Sequence, residues 1–219
     1  NLLLSLNLSL YKMFDKPTEE KRGSKSNVRH SARWEYMRRV ILYIAASLDG
    51  YIAGENGGID WLDSEAAPDD AGNGYEAFLR EIDTIVMGYN TYRQVTEELS
   101  SGKWVYAGKK TYVLTHRGIA NLPEIQFVCQ PAERLIETLQ QEDGKGIWIC
   151  GGAKIIHPLL QQNLIDEFRI TIIPILLGRG IPLFGALDCQ ISLQLISTQK
   201  NGNLLELTYR RRAQEKEGK

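Results

Sequence analysis

Residues 147–160 read IWICGGAKIIHPLL, a short apolar run that ends in Gly151-Gly152 and turns directly into a helical pattern. Ile155, Ile156, Leu159 and Leu160 recur at the spacing that places them on one helix face. Two glycines at such a junction let the backbone approach a group held at the helix N-terminus. The group this turn suits best is an anionic phosphate, met by free N–H groups and the positive end of the helix dipole. The same pair also suits a tight strand-to-helix turn with no ligand, and the choice between the two rests on the remainder of the chain.

Working outward, residues 40–46 (VILYIAA) form a run of β-branched and aromatic residues fit for a central strand covered on both faces. The run leads through Ser47-Leu48-Asp49-Gly50-Tyr51-Ile52-Ala53 into a glycine-rich loop, residues 54–58, that closes on Ile59-Asp60-Trp61-Leu62. Such a loop either folds over a flat ligand as a lid or is a plain connection. Beyond an acidic linker at residues 63–74, Tyr75, Phe78, Leu79 and Ile82 fall at helical spacing. Residues 84–87 predict a buried strand that Gly88 turns into a second helix, with Thr91 in its first turn offering a hydroxyl and an amide to a phosphate.

Residues 111–115 (TYVLT) predict a third strand, followed by His116-Arg117-Gly118. A basic pair just past a strand's carboxyl end is where a nucleotide's ribose phosphate is held, and it is also an ordinary solvated loop. Residues 125–129 give a fourth strand, and Pro131 starts a helix carrying Leu135, Ile136 and Leu139. A long strand over residues 166–175 ends in a glycine loop at residues 177–184. The chain closes with strands at residues 191–199 and 204–212, joined through Asn201-Gly202, a strong hairpin signal.

Alternating strands and helices before a terminal hairpin predict an α/β fold, a mainly parallel sheet covered by helices with an antiparallel edge. Ligands in open α/β sheets gather at the strands' carboxyl ends. Three such ends (Gly88, Thr115 to Arg117, Gly151-Gly152) offer phosphate-friendly chemistry, which favours a dinucleotide over a single phosphate. Across 219 residues the composition is 43% hydrophobic and 24% charged, ordinary for a globular chain. A net charge of −1 gives no bulk attraction to nucleic acid, and no apolar run is long enough to span a membrane. The cysteines Cys129, Cys150 and Cys189 are odd in number, widely spaced and set in apolar runs, so they read as reduced, buried thiols of a cytoplasmic protein. Residues 1–36 combine a short leucine-rich stretch with scattered basic residues and read as a disordered extension, with the folded domain expected over residues 37–212 and a charged tail at 213–219.

The ordered set of motifs resembles the dihydrofolate reductase fold, and more closely the reductase domain of bacterial riboflavin biosynthesis and its stand-alone relatives. The residues that carry the likeness are Ala45 to Ala53, Gly57-Gly58-Ile59-Asp60-Trp61, Met87 to Tyr92, Val113 to Arg117, Cys150 to Ala153 and Pro174 to Gly180. The resemblance implies a three-layer α/β fold and NADPH bound across the sheet. It places Gly88, Thr91, Gly151, Gly152 and Ala153 at the pyrophosphate, and Thr115, His116 and Arg117 at the adenosine ribose and its 2′-phosphate. Ala46, Ile52 and the loop through Trp61 are implied to pack around the nicotinamide. Hydride transfer to a C=N or C=O bond of a small heterocycle follows from the likeness, with no metal required. Asp49 is the candidate catalytic group, and Asp49, Asp60 and Trp61, with Asp63 behind them, are the candidate substrate contacts; a Leu-Asp-Gly turn held by its own side chain is the other reading of Asp49. The segment from Pro174 to Phe184 resembles the one relatives use to complete a homodimer or the far wall of the site.

Two departures separate the chain from its relatives. Pro68 and its acidic neighbours stand where folate enzymes place a pterin-binding carboxylate, and Cys150 replaces the acidic residue that riboflavin enzymes carry before the glycine pair. The expected function is an NADPH-dependent reductase of a pterin-like or ribosylamino-pyrimidine-like substrate. A non-catalytic nucleotide-binding or sensing module on the same fold, or a plain scaffold, are the alternatives.

Overall fold

A computed structural model describes residues 37–65, 74–100 and 104–212; the expected extension, the charged tail and part of the acidic linker with Pro68 lie outside the described residues. The long apolar runs become the strands β1 (Val40–Ser47), β3 (Ile82–Gly88), β4 (Lys110–Leu114), β5 (Ile125–Val128), β6 (Gly146–Gly151) and β7 (Glu167–Ile173). The terminal hairpin is β9 (Leu193–Asn201) and β10 (Leu204–Arg211), and two short strands, β2 (Tyr51–Ala53) and β8 (Ile181–Pro182), form a separate pair. The helices are α1 (Gly74–Glu81), α2 (Tyr89–Arg93), α3 (Ala132–Gln140) and α4 (Ala153–Gln161), with a 3-10 turn at Asp60–Glu65 and a π turn at Gln94–Leu99 continuing α2.

The main sheet has eight strands in the order β5-β4-β3-β6-β1-β7-β10-β9. Every pairing from β5 through β7 is parallel, and β10 and β9 add to the β7 edge antiparallel. The expected parallel sheet with an antiparallel edge is therefore present. β1 lies inside the sheet between β6 and β7, which explains an apolar run without alternation: both of its faces are covered.

The two faces differ in kind. One packs Val40, Leu42, Ile147 and Ile149 against Leu135, Ile136, Ile156 and Leu159 of α3 and α4, an almost wholly aliphatic core. Each such side chain contributes about 1.5–3 kcal/mol on burial. The other face gathers aromatic rings, with Phe78 edge-on to Tyr43 at 4.7 Å and to Trp148 at 5.3 Å, and Tyr106 edge-on to Trp148. Such pairings favour a fixed ring geometry beyond simple burial.

Element ends differ from expectation where the fold demands close approach. Ile82 opens β3 instead of closing α1, because it is fully buried and registers with Gly146 on β6. A Cβ on Gly146 would lie 3.2 Å from Ile82 Cγ2 and from Ile41 Cδ1, so only glycine admits this contact without a shift. β7 stops at Ile173, before Pro174 removes a backbone donor. The β2–β8 pair was not expected; a Cβ on Gly180 would run into the carbonyl of Ala53, so the glycine permits the loop at residues 177–184 to lie against β2.

Candidate functional site

Because the central strands run parallel, their carboxyl ends share one edge of the sheet, and a cleft of about 1160 Å³ opens there. Of the residues expected at a cofactor, Ile52, Gly88, Thr91, Thr115, His116, Arg117, Gly151, Gly152 and Ala153 all line it. The cleft exceeds the roughly 300–1,000 Å³ of an ordinary small-ligand pocket, which leaves space for an extended ligand beside a smaller one.

The middle of the cleft is built from two adjacent strand–helix junctions. β3 ends in Gly88 before α2, and its neighbour β6 ends in Gly151 before α4. Gly151 has φ +126°, a region that L side chains rarely adopt, and is joined to Gly152 by a cis peptide bond. Gly152 is the N-cap of α4 and supplies no side-chain cap. A Cβ on Gly152 would stand 3.7 Å from Thr91 Oγ1, and one on Gly88 would stand 3.5 Å from Ile155 Cγ1. The two junctions thus bring helix-start amides, the Thr91 hydroxyl and Lys154 to one place, a donor set that fits phosphate oxygens.

At one end lies the loop after β4. The Arg117 amide bonds Thr115 Oγ1 at 3.1 Å, and the Arg117 guanidinium sits 4.7 Å from the centre of the Tyr89 ring. This stacking holds a cation beside the phosphate-friendly junctions without occupying its hydrogen-bond donors. His116 Nδ1 lies 3.3 Å from Cys129 Sγ on the same rim.

A match of the protein-family model described as "RibD C-terminal domain" covers residues 38–207. The chain belongs to the RibD C-terminal domain family. A Bacillus subtilis (strain 168) relative, the uncharacterised protein YwjB, is 40% identical over 173 residues, spanning 78% of this chain and 97% of its own. A solved structure from Shewanella sp. PV-4, provisionally assigned to riboflavin biosynthesis, shares 34% identity and a TM-score of 0.70 over 80% of this chain and 99% of its own. Enterococcus faecalis dihydrofolate reductase, solved with NADP(H) and RAB-propyl, matches at 20% identity and TM-score 0.56 over 81% of this chain and 99% of its own, a likeness of fold alone. The expected dihydrofolate reductase-like architecture and the reductase-type family are thereby established. No helix among the described residues is long and apolar enough to cross a membrane, and no group of three or more His, Cys, Asp or Glu side chains among them is arranged to hold a metal ion.

At the other, inner end, this RibD C-terminal domain differs from the sequence expectations in detail. Ala45 lines the cleft, whereas Ala46 points to the aliphatic face and is buried there. Asp49, Asp60 and Trp61 do not line the cleft. The Asp49 carboxylate accepts from Ser47 Oγ at 2.6 Å and from the amides of Leu177 and Gly178 at 3.1 and 2.7 Å, tying the β1–β2 turn to the loop after β7. The Ser47 hydroxyl, followed by the two amides, holds Asp49 below the usual carboxylate range. Asp60 is exposed, and Trp61 packs against the aromatic core, so Ile59 and Leu62 form the wall instead. The side chain of Asp63 lies outside the described residues.

Tyr43, Thr171 and Glu206, at or behind the inner end, were not singled out from the sequence, whereas Cys150 was noted there only as a departure from the riboflavin enzymes. Tyr43 lines the cleft, and its hydroxyl is 2.7 Å from Glu206 Oε2 on β10. Thr171 of β7 registers opposite both Ala45 and Glu206, so the three share the aromatic face of the sheet. Its hydroxyl oxygen is buried with no hydrogen-bond partner among the described residues. Cys150 completes this end, with burial pushing its thiol up to about 12. It is therefore a neutral wall group rather than a nucleophile, and of the three thiols expected to be buried it alone is, since Cys129 and Cys189 are exposed.

Proposed function

We propose that the protein is an NADPH-dependent reductase that transfers a hydride to a small heterocyclic substrate of the pterin or ribosylamino-pyrimidine kind. The observation that carries this reading is the side-by-side placement of the Gly88 and Gly151-Gly152 junctions in the floor of one cleft. Arg117 stands at one end of that floor and a small apolar wall of Ala45 and Ile52 at the other. The junction amides, Thr91 and Lys154 would hold the pyrophosphate, and Arg117 with Thr115 and His116 would hold the 2′-phosphate. The apolar wall would take the nicotinamide, whose contribution when bound is the hydride. The enclosure orients substrate against it and excludes water. A non-catalytic nucleotide-binding module is the second reading, favoured by one feature: Glu133, on the first turn of α3, is the only carboxylate among the described residues lining the cleft.

Titration with NADPH and NADH, read by thermal shift and nicotinamide fluorescence, tests the cofactor. The melting temperature should climb with NADPH excess, as linkage requires. Gly152→Asp, which puts a carboxylate among the phosphate donors, should abolish the shift. Arg117→Ala should weaken NADPH by about tenfold or more while leaving NADH nearly unchanged. Equal losses for the two nucleotides would remove Arg117 from the 2′-phosphate, and unaltered NADPH binding by Gly152→Asp would refute the phosphate cradle. Hydride turnover separates the reductase from the binding module.

A further inference from the structure

Reduction of a C=N or C=O bond needs a proton as well as a hydride, and the inner end of the cleft is short of acids. Ala45, Ile52, Ala53, Ile59 and Leu62 are apolar, and Asp49 is occupied outside the cleft. The Cys150 thiol is hydrogen-bonded to the Tyr106 hydroxyl and meets no carboxyl that could reload it. Tyr43 lines this end and carries a hydroxyl that donates to the Glu206 carboxyl.

We propose that Tyr43 donates the proton that accompanies hydride transfer, and that Glu206 is the positioning residue that reloads it. The inference rests on the reductase reading. Glu206 is only partly covered, so it links solvent to a Tyr43 that is itself buried. Burial raises the Glu206 carboxyl above its ordinary range, against the opposing Tyr43 hydrogen bond and the Arg169 charge. Burial, then the Glu206 charge, raises Tyr43 further. The groups facing the pair are Arg169 from β7 and Tyr75 from α1; opposite Glu206 on β9 stands the uncharged Gln199. Arg169 is itself engaged by Glu81 and Glu167 at 2.7 Å each, which limits its pull on Glu206. The unpartnered Thr171 hydroxyl beside Glu206 offers a further hydrogen bond at the same end.

For a C=N bond, a bound reduced nicotinamide would supply two electrons as hydride to carbon and would itself be oxidised. The π pair moves to nitrogen, which takes the Tyr43 hydroxyl proton to form N–H. The Tyr43 oxygen takes the Glu206 carboxyl proton, and Glu206 recovers its own from water.

The test compares the full chain with Tyr43→Phe, which keeps the ring packed on Phe78, and Glu206→Gln, which still accepts from the tyrosine. NADPH oxidation is followed with 7,8-dihydrofolate and with 5-amino-6-ribosylamino-pyrimidinedione as probes. Tyr43→Phe should lower kcat by about 10²–10⁴-fold with KM moved less than about threefold. Wild-type kcat should fall as pH rises through the Glu206 titration, because the donor pair then lacks its proton. Glu206→Gln should be slower and should lose that fall. Independently of turnover, the infrared difference between wild type and Glu206→Gln should show a protonated-carboxyl band that titrates out above the ordinary glutamate range. A Tyr43→Phe enzyme with wild-type kcat, a Glu206→Gln enzyme with the wild-type pH limb, or a Glu206 band that titrates as an ordinary glutamate each overturns the proton-donor assignment alone. Failure of wild type to oxidise NADPH with either probe overturns the reductase reading and this assignment with it. Should Tyr43→Phe not fold, the Glu206→Gln pH profile and infrared band decide the question.

Discussion

The two faces of the one sheet are built to different rules. Under α3 and α4 the core is isoleucine, leucine and valine, whose only demand is close packing. The opposite face carries aromatic rings and polar atoms in the same depth of protein: the Tyr43 hydroxyl, the Thr171 hydroxyl, the Cys150 thiol and the Glu206 carboxyl. Buried polar atoms cost stability unless they are paired, so the second face is the costlier to fold. The cleft's inner end opens on that face. The aliphatic face packs the sheet against α3 and α4, and the aromatic face walls the inner end of the cleft.

The largest expected effect attacks the aliphatic side. Ile156→Ala, at a fully buried position on α4, should cost about 2–5 kcal/mol, seen as a lower urea midpoint at unchanged slope. An effect well under 1 kcal/mol would mean this face is not the tightly packed one.

Asp166 sharpens the contrast from the opposite end of the strands, because it is a largely covered carboxyl that does not line the cleft. It accepts from the Val40 amide at 2.8 Å, yet burial raises it to about 6 from an ordinary value of 3.8. An acid whose folded value is raised binds more protons in the folded state between those two values. Its contribution therefore falls as pH rises from about 4 to about 6, by at most about 3 kcal/mol. Asp166→Asn, which still accepts from Val40, should remove that slope and raise the melting temperature at neutral pH without altering nucleotide binding. A variant that melts lower at pH 7 would show that the distant Arg211 pair, at 3.8 Å, matters more than desolvation.

The smallest effect has the opposite sign to the first. Thr171→Val keeps the shape and deletes the unpartnered hydroxyl, so it should stabilise by about 1–2 kcal/mol. Loss of stability would mean that the hydroxyl has a partner in solution, and the polar cost of the aromatic face would then be smaller than described.

Most of the frame was legible in the chain. The strand runs, the glycine junctions at Gly88 and Gly151-Gly152 and the Asn201-Gly202 hairpin are local signals, and local physics sets them. Two kinds of feature were not. The first is which side of β1 meets the cleft: VILYIAAS is apolar throughout because both faces are covered, so no alternation distinguishes Ala45 from Ala46. The second is any partnership made across the sheet. Asp49 reads as a cleft acid because its partners at Leu177 and Gly178 lie far along the chain, and nothing local to the hairpin strand marks Glu206 as the partner of a distant tyrosine. Only the register β1–β7–β10 puts Glu206 beside Thr171 and within reach of Tyr43.

The Tyr43–Glu206 contact joins positions 163 residues apart, and β1 finds both of its neighbours, β6 and β7, more than a hundred residues downstream. On a ribosome, β1 is made before either neighbour and must wait, apolar on both faces, until more than a hundred further residues have been added. Closing contacts over such separations is slow. A nascent chain that has reached α4 already contains both glycine junctions, yet it lacks β7 and β10. The molecule therefore acquires both glycine junctions before Glu206 is made, so a chain interrupted after α4 would carry the floor of the cleft without the carboxyl that bonds Tyr43.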